Sequence, residues 1–214
     1  MTKPAWLLEA EKHLGYRETP VNHTPFNRHY HLDGQPWCAC FVSYCFEVSG
    51  HPLPSMQPGM PNGFAAVVYG MDYARAHGCW RPSKDAEPGD IIVYGWAGPG
   101  SSPENMHTGF VEHSGPVGST GHTVEGNRDD RVGRFTFTVG ERVVLGTIDA
   151  KKLLGIHHKA ATKKTAPAKK PAPAVAPQPQ PRHPKHPHNT GPTPRWFGSW
   201  WPRWLRWWER QARK

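Results

Sequence analysis

Between Pro4 and Leu14 the apolar residues Trp6, Leu7, Ala10 and Leu14 recur at helical spacing, and Pro4 stands where a first helical turn favours proline. A second helix is predicted from Cys38 to Val48: Phe41, Val42, Cys45 and Phe46 share one face, and Gly50 follows as a stop signal. A third is predicted from Phe64 to His77, ending at Gly78. The period then changes. The runs 90–94, 108–112, 122–125, 134–139 and 142–145 are short, β-rich and separated by Gly, Pro and Asp. Helices followed by strands predict an α+β domain with an antiparallel sheet over residues 1–156.

The pattern stops after this domain. Residues 157–194 are low in complexity, rich in Lys, Ala and Pro and then in Pro, His and Gln. They lack the apolar side chains needed to offset ordering entropy, so a disordered linker is expected. Residues 195–214 hold six of the ten tryptophans: Trp196, Trp200, Trp201, Trp204, Trp207 and Trp208. Their spacing is the stripe of an amphipathic helix, with Arg203, Arg206, Arg210 and Arg213 to its flanks and far side, and Pro202 marks a kink or the helix start.

Charge divides the chain in the same place. The net charge is +9, yet from Ile156 onward 13 Lys and Arg face a single acid, Glu209. The preceding part carries 13 bases and 16 acids. A nearly neutral domain is thus joined to a cationic tail that seeks an anionic partner. The opening MTKPAWLLEAEKHLG places charges where a secretory signal needs an apolar stretch, and no run approaches the length of a membrane span.

Four cysteines, Cys38, Cys40, Cys45 and Cys79, do not form a disulfide framework, and with no second close pair they do not outline a zinc site. Cys38 lies where the loop ending in Pro36-Trp37 turns into the second predicted helix, and a helix N-terminus favours a thiolate. Cys45 falls on the apolar face. A thiolate nucleophile also needs a base, and the base an orienting acceptor. His107 opens a predicted strand after a Gly/Ser/Pro-rich loop, and Glu125 lies in the next one, within reach for a hydrogen bond. From spacing alone, a buried structural cysteine, a surface histidine and a solvated glutamate remain the simpler readings.

Four motifs in order change that balance: Trp37-Cys38-Ala39-Cys40-Phe41-Val42, Pro88-Gly89-Asp90, His107-Thr108-Gly109-Phe110-Val111 and Glu125-Gly126-Asn127. Together they resemble the CHAP family of papain-like cysteine, histidine-dependent amidohydrolases/peptidases. The lead-in from Gly15 through Glu18, Asn22 and Phe26 to Tyr30 is similar to that of bacteriophage members. The resemblance implies a papain-like fold, with Cys38 as nucleophile, His107 as general base and Glu125 orienting the imidazole. It implies Asn127 as a further polar group, and Gln35 with the Cys38 N–H as donors to the oxyanion. Some relatives bind calcium in a loop before the cysteine. Here that loop offers only Asn27, Asp33 and carbonyls, too few carboxylates for more than weak support of a calcium site, and no other cofactor is expected.

The implied activity is that of an endolysin or virion-associated hydrolase. Made in a host cytoplasm without a signal peptide, it acts as a monomer at the bacterial wall on an amide bond of peptidoglycan. The Trp/Arg segment fits an interfacial helix on an anionic membrane or wall polymer. Two other classes compete: a catalytically silent wall- or membrane-binding virion module, and a nucleic-acid binder working through the Lys/Ala/Pro stretch by counterion release. Nothing in the first 156 residues points to nucleic acid.

Overall fold

A computed structural model describes residues 2–156. The predicted linker at 157–194 and the tail with Trp196, Trp200, Trp201, Trp204, Trp207, Trp208, Arg203, Arg206 and Arg210 lie outside the described residues. Four helices come first: α1 (Ala5–Lys12), α2 (Pro25–Arg28), α3 (Cys38–Val48) and α4 (Val67–Ala76). Six strands follow: β1 (Trp80–Arg81), β2 (Ile91–Gly95), β3 (Met106–His113), β4 (Thr120–Arg128), β5 (Arg131–Thr138) and β6 (Val144–Ile148). The strands form one sheet in the order β1-β6-β2-β3-β4-β5, with every pairing antiparallel. The architecture is α+β, helices packed on an antiparallel sheet. Among the described residues no helix is long and apolar enough to cross a membrane.

α3 is the centre of the helical layer. It buries every residue from Cys38 to Phe46 except Tyr44, more than an amphipathic stripe would, because it is covered from several sides. Trp6 of α1 stacks on Phe46 at 5.0 Å, and Phe41 and Phe46 both meet Phe110 of β3. The alternation of β2 divides its side chains between two cores. Ile91 and Val93 join the helices, while Ile92 and Tyr94 join Val111, Phe137, Val139 and Val144 in a second cluster.

Where the elements depart from the sequence pattern, hydrogen bonds account for the difference. α4 starts at Val67 rather than Phe64. The Phe64 backbone is bonded through both N–H and C=O to the buried Ser43 hydroxyl, and Gln57 accepts from the N–H groups of Ala65 and Ala66, so these residues stay outside the helix. α2 is too short to show a period; a capping box between Thr24 and Asn27, with Pro25 in the first turn, makes it. The Asp of Pro88-Gly89-Asp90 is 2 % exposed and structural. It accepts from the Glu87 and Ala150 N–H groups and pairs with Arg81, tying β1 and β2 to the helical residues 150–156. Across the molecule, Lys3 and Arg134 share the carboxylates of Glu11 and Glu112, joining the N-terminal segment to β3 and β5.

Candidate active site

Cys38 is the first residue of α3, and the Trp37 side chain at the N-cap accepts no hydrogen bond from the helix. The first intrahelical bond runs from Phe41 N–H to the Trp37 carbonyl, so the Cys38 N–H is one of the donors a helix start leaves unpaired. Trp37 is fully buried, stacked on Phe26 at 5.3 Å, and its indole N–H donates to Glu18. That bond fixes the peptide entering the helix. Asn27 braces the same loop, donating to the carbonyls of Asn22 and Gln35. Asn27 and Asp33, weighed above as calcium donors, are otherwise engaged: Asp33 pairs with His23 at 2.8 Å and Arg28 at 3.1 Å. Among the described residues no three His, Cys, Asp or Glu gather as a metal-binding group.

His107 lies near the start of β3, opposite Tyr94 of β2. It is 6 % exposed, and its Nε2 lies 2.9 Å from Oε2 of Glu125, which is wholly buried on β4. With Nε2 engaged, Nδ1 is the ring nitrogen left for the Cys38 thiol, which lies close enough to act on the charge of the same ring. Two motif glycines make room for this arrangement. A Cβ on Gly109 would lie 2.5 Å from Glu125 Cγ, so the carboxylate leans toward His107 through the space a side chain would fill. A Cβ on Gly126 would lie 2.6 Å from the Trp37 ring and 2.8 Å from Phe41, so glycine there lets β4 approach α3 closely.

The protonation states are set by these contacts. Burial disfavours a charged His107, but the nearby Cys38 and the bonded Glu125 outweigh that and push it up to about 9. It is therefore an imidazolium at neutral pH, with Nε2–H donating to Glu125. Burial also works against a charged Glu125; the bond and charge of His107, with Thr123 and Arg128, hold the carboxyl below its usual value. Tyr94 Oη donates to Oε1 at 2.9 Å, Thr123 Oγ1 donates to the same oxygen, and Arg128 Nη1 lies 3.3 Å from Oε2. Burial and the adjacent Glu125 raise the Tyr94 phenol well above its ordinary range, so it remains a donor. On the open side, Trp96 stacks on His107 at 5.8 Å and on Tyr94 at 4.9 Å while staying 45 % exposed.

All four cysteines are free thiols. Burial pushes Cys40 up to about 12 and raises Cys45 and Cys79. Of the five site residues expected from sequence, Cys38, His107 and Glu125 come together. Gln35 is exposed, and Asn127 is half-buried with φ 63°. Neither side chain forms a hydrogen bond among the described residues; the Gln35 backbone carbonyl accepts from Asn27. Sequence reasoning missed Glu18, Tyr94, Trp96, Thr123 and Arg128. Tyr94 and Trp96 carried a usable signal, two aromatics at alternate positions ending a strand.

A comparison with known families agrees with this geometry. The CHAP domain model matches residues 30–127, a span that contains Cys38, His107 and Glu125. The match supports a CHAP-domain protein, and CHAP domains are in general cysteine- and histidine-dependent amidohydrolases or peptidases that act on peptidoglycan. No curated protein and no solved structure matches the chain.

Proposed function

We propose that this protein is a peptidoglycan hydrolase of the phage-lysin type that cleaves an amide bond of the bacterial wall through Cys38. The observation that carries the reading is a buried imidazole bonded to a buried carboxylate, with the cysteine of a helix start beside it. His107 takes the thiol proton, and the helix start leaves its unpaired N–H donors beside Cys38.

The thiolate attacks the amide carbonyl, forming the S–C bond as electrons move onto oxygen. The Cys38 N–H donates to that oxyanion. His107 passes its Nδ1 proton to the leaving amine as the C–N bond breaks. The neutral imidazole then takes a proton from water, whose oxygen attacks the thioester, and the carboxylic acid leaves with the thiolate restored. Glu125 holds the ring in orientation throughout. Residues 1–156 suffice for this chemistry, and the Trp/Arg segment at 195–214 concentrates the enzyme on anionic envelope surfaces.

The test is turbidity loss of purified wall material, followed by mass spectrometry of the released fragments. Wild type should clear the walls and expose new amine and carboxyl termini at one amide, while Cys38→Ala should not. Equal clearance by both would overturn the cysteine mechanism. No clearance by either, with intact wall binding, would favour the non-catalytic module.

A further inference from the structure

We infer that Arg128 is a positioning residue for Glu125, aimed at the buried carboxylate by a bulge centred on Asn127. The inference rests on the proposed role of Glu125 in orienting the catalytic imidazole, and it assigns work to Arg128, which takes no part in the proposed bond-making steps.

Residues three apart on a regular strand point to opposite faces. Glu125 and Arg128 are three apart, and yet Arg128 Nη1 reaches both Glu125 oxygens, at 3.4 and 3.3 Å. The ladder explains how. Glu125 pairs with Gly133 and Arg128 with Arg131, so three steps on β4 match two on β5. One extra residue has been inserted, which turns the next side chain back to the face of Glu125. Asn127, at φ 63°, supplies the left-handed backbone that Asn tolerates better than other side-chain-bearing residues. Asp129 and Asp130, at φ 54° and 56°, then close the hairpin with a two-residue turn of the twist strands prefer.

The guanidinium packs against two aromatic rings. It lies 4.4 Å from the Phe135 ring centroid and 5.5 Å from that of Trp96. A planar guanidinium stacks on aromatic faces as an ammonium does not. The groups facing Glu125 are His107 from β3, Tyr94 from β2, and Thr123 and Arg128 from β4. Tyr94 and Thr123 are neutral. His107 is cationic only until it gives its proton to the leaving amine. In the second half-cycle, Arg128 is the remaining full positive charge on the carboxylate, and it keeps Glu125 ionised while the imidazole is neutral.

The experiment tracks the Glu125 side-chain carboxyl by 13C NMR in the full-length protein across pH, in wild type, Arg128→Gln and Arg128→Lys. Loss of the cation should raise the Glu125 midpoint by about one pH unit, with Lys in between. Asn127→Val should move it the same way, and Asn127→Gly by less. On wall substrate, the acid limb of kcat/KM should move up with the carboxyl while KM stays put. An unmoved midpoint in Arg128→Gln overturns the inference, and so does a raised KM with an unmoved midpoint, which would make Arg128 a substrate contact. If Arg128→Gln does not fold, Arg128→Lys and Asn127→Val carry the same comparison. The carboxyl titration needs no turnover, so it decides the role of Arg128 even in a protein that fails to hydrolyse walls.

Discussion

His107 is bonded through Nε2 to Oε2 of Glu125 at 2.9 Å, and this leaves Nδ1 on the side of the Cys38 thiol. That contact orients the ring, and together with the nearby Cys38 it favours the charged imidazole.

Glu125→Gln keeps the shape and removes the charge. One of the two contacts that lift His107 is weakened, so its midpoint should fall from about 9 toward the ordinary 6.5, as read by NMR titration of the ring. Turnover should drop about a hundredfold or more, since a neutral amide also tolerates the wrong tautomer. An unchanged ring titration would separate Glu125 from the imidazole.

The wild-type rate should have an alkaline limb near pH 9. A raised histidine stays protonated below its folded value, so the proton needed by the leaving amine is present through neutrality and lost as pH rises through about 9. A kcat/KM profile on wall fragments from pH 6 to 10 checks this; a limb at the ordinary histidine value of 6.5 would contradict it.

Gly126→Ala should lower stability by about 1–3 kcal/mol, because the new Cβ meets two packed rings rather than a flexible chain end. Denaturant midpoints measure the loss. Activity should fall further than stability alone accounts for, since the displaced partner is the helix that carries Cys38.

Acid should loosen the attachment of α1. Burial works against the Glu112 charge, but Arg134 and Lys3 bring its carboxyl down to about 2. A depressed carboxyl contributes stability above its unfolded value, near 4.5, and loses it as pH falls toward 2. The partners are partly exposed, so the contribution is about 1 kcal/mol. Melting curves of Glu112→Gln should show a shallower decline across that window than wild type.

Deleting residues 195–214 should weaken binding to anionic liposomes and slow lysis of intact cells, while clearance of purified walls changes little. Unchanged liposome binding would remove the envelope-targeting role.

Much of this was legible in the chain. The bounds of α3 followed from apolar spacing and Gly50, and the five longer strands from β-rich runs between turn residues. α2 and β1 are too short to carry a period, and the start of α4 depends on Ser43, twenty-one residues away from Phe64. At the site, the resemblance of four ordered motifs to the CHAP family singled out Cys38, His107 and Glu125, where spacing alone favoured structural readings. Arg128 escaped because alternation assigns it to the opposite face, and only the left-handed Asn127 reverses that. Tyr94 and Thr123 look like ordinary strand residues until the buried carboxylate they serve is seen.

The site is assembled from two neighbourhoods that form on different terms. His107, Glu125, Thr123 and Arg128 sit on successive hairpins, whose contacts close over short stretches of chain, whereas Cys38 arrives on a helix that must dock from far upstream. Undocking α3 would leave the histidine–glutamate pair intact and deprive the thiol of its partner. Under mild denaturant, catalytic competence should then disappear before the sheet melts, and recovery on refolding should wait for the helix.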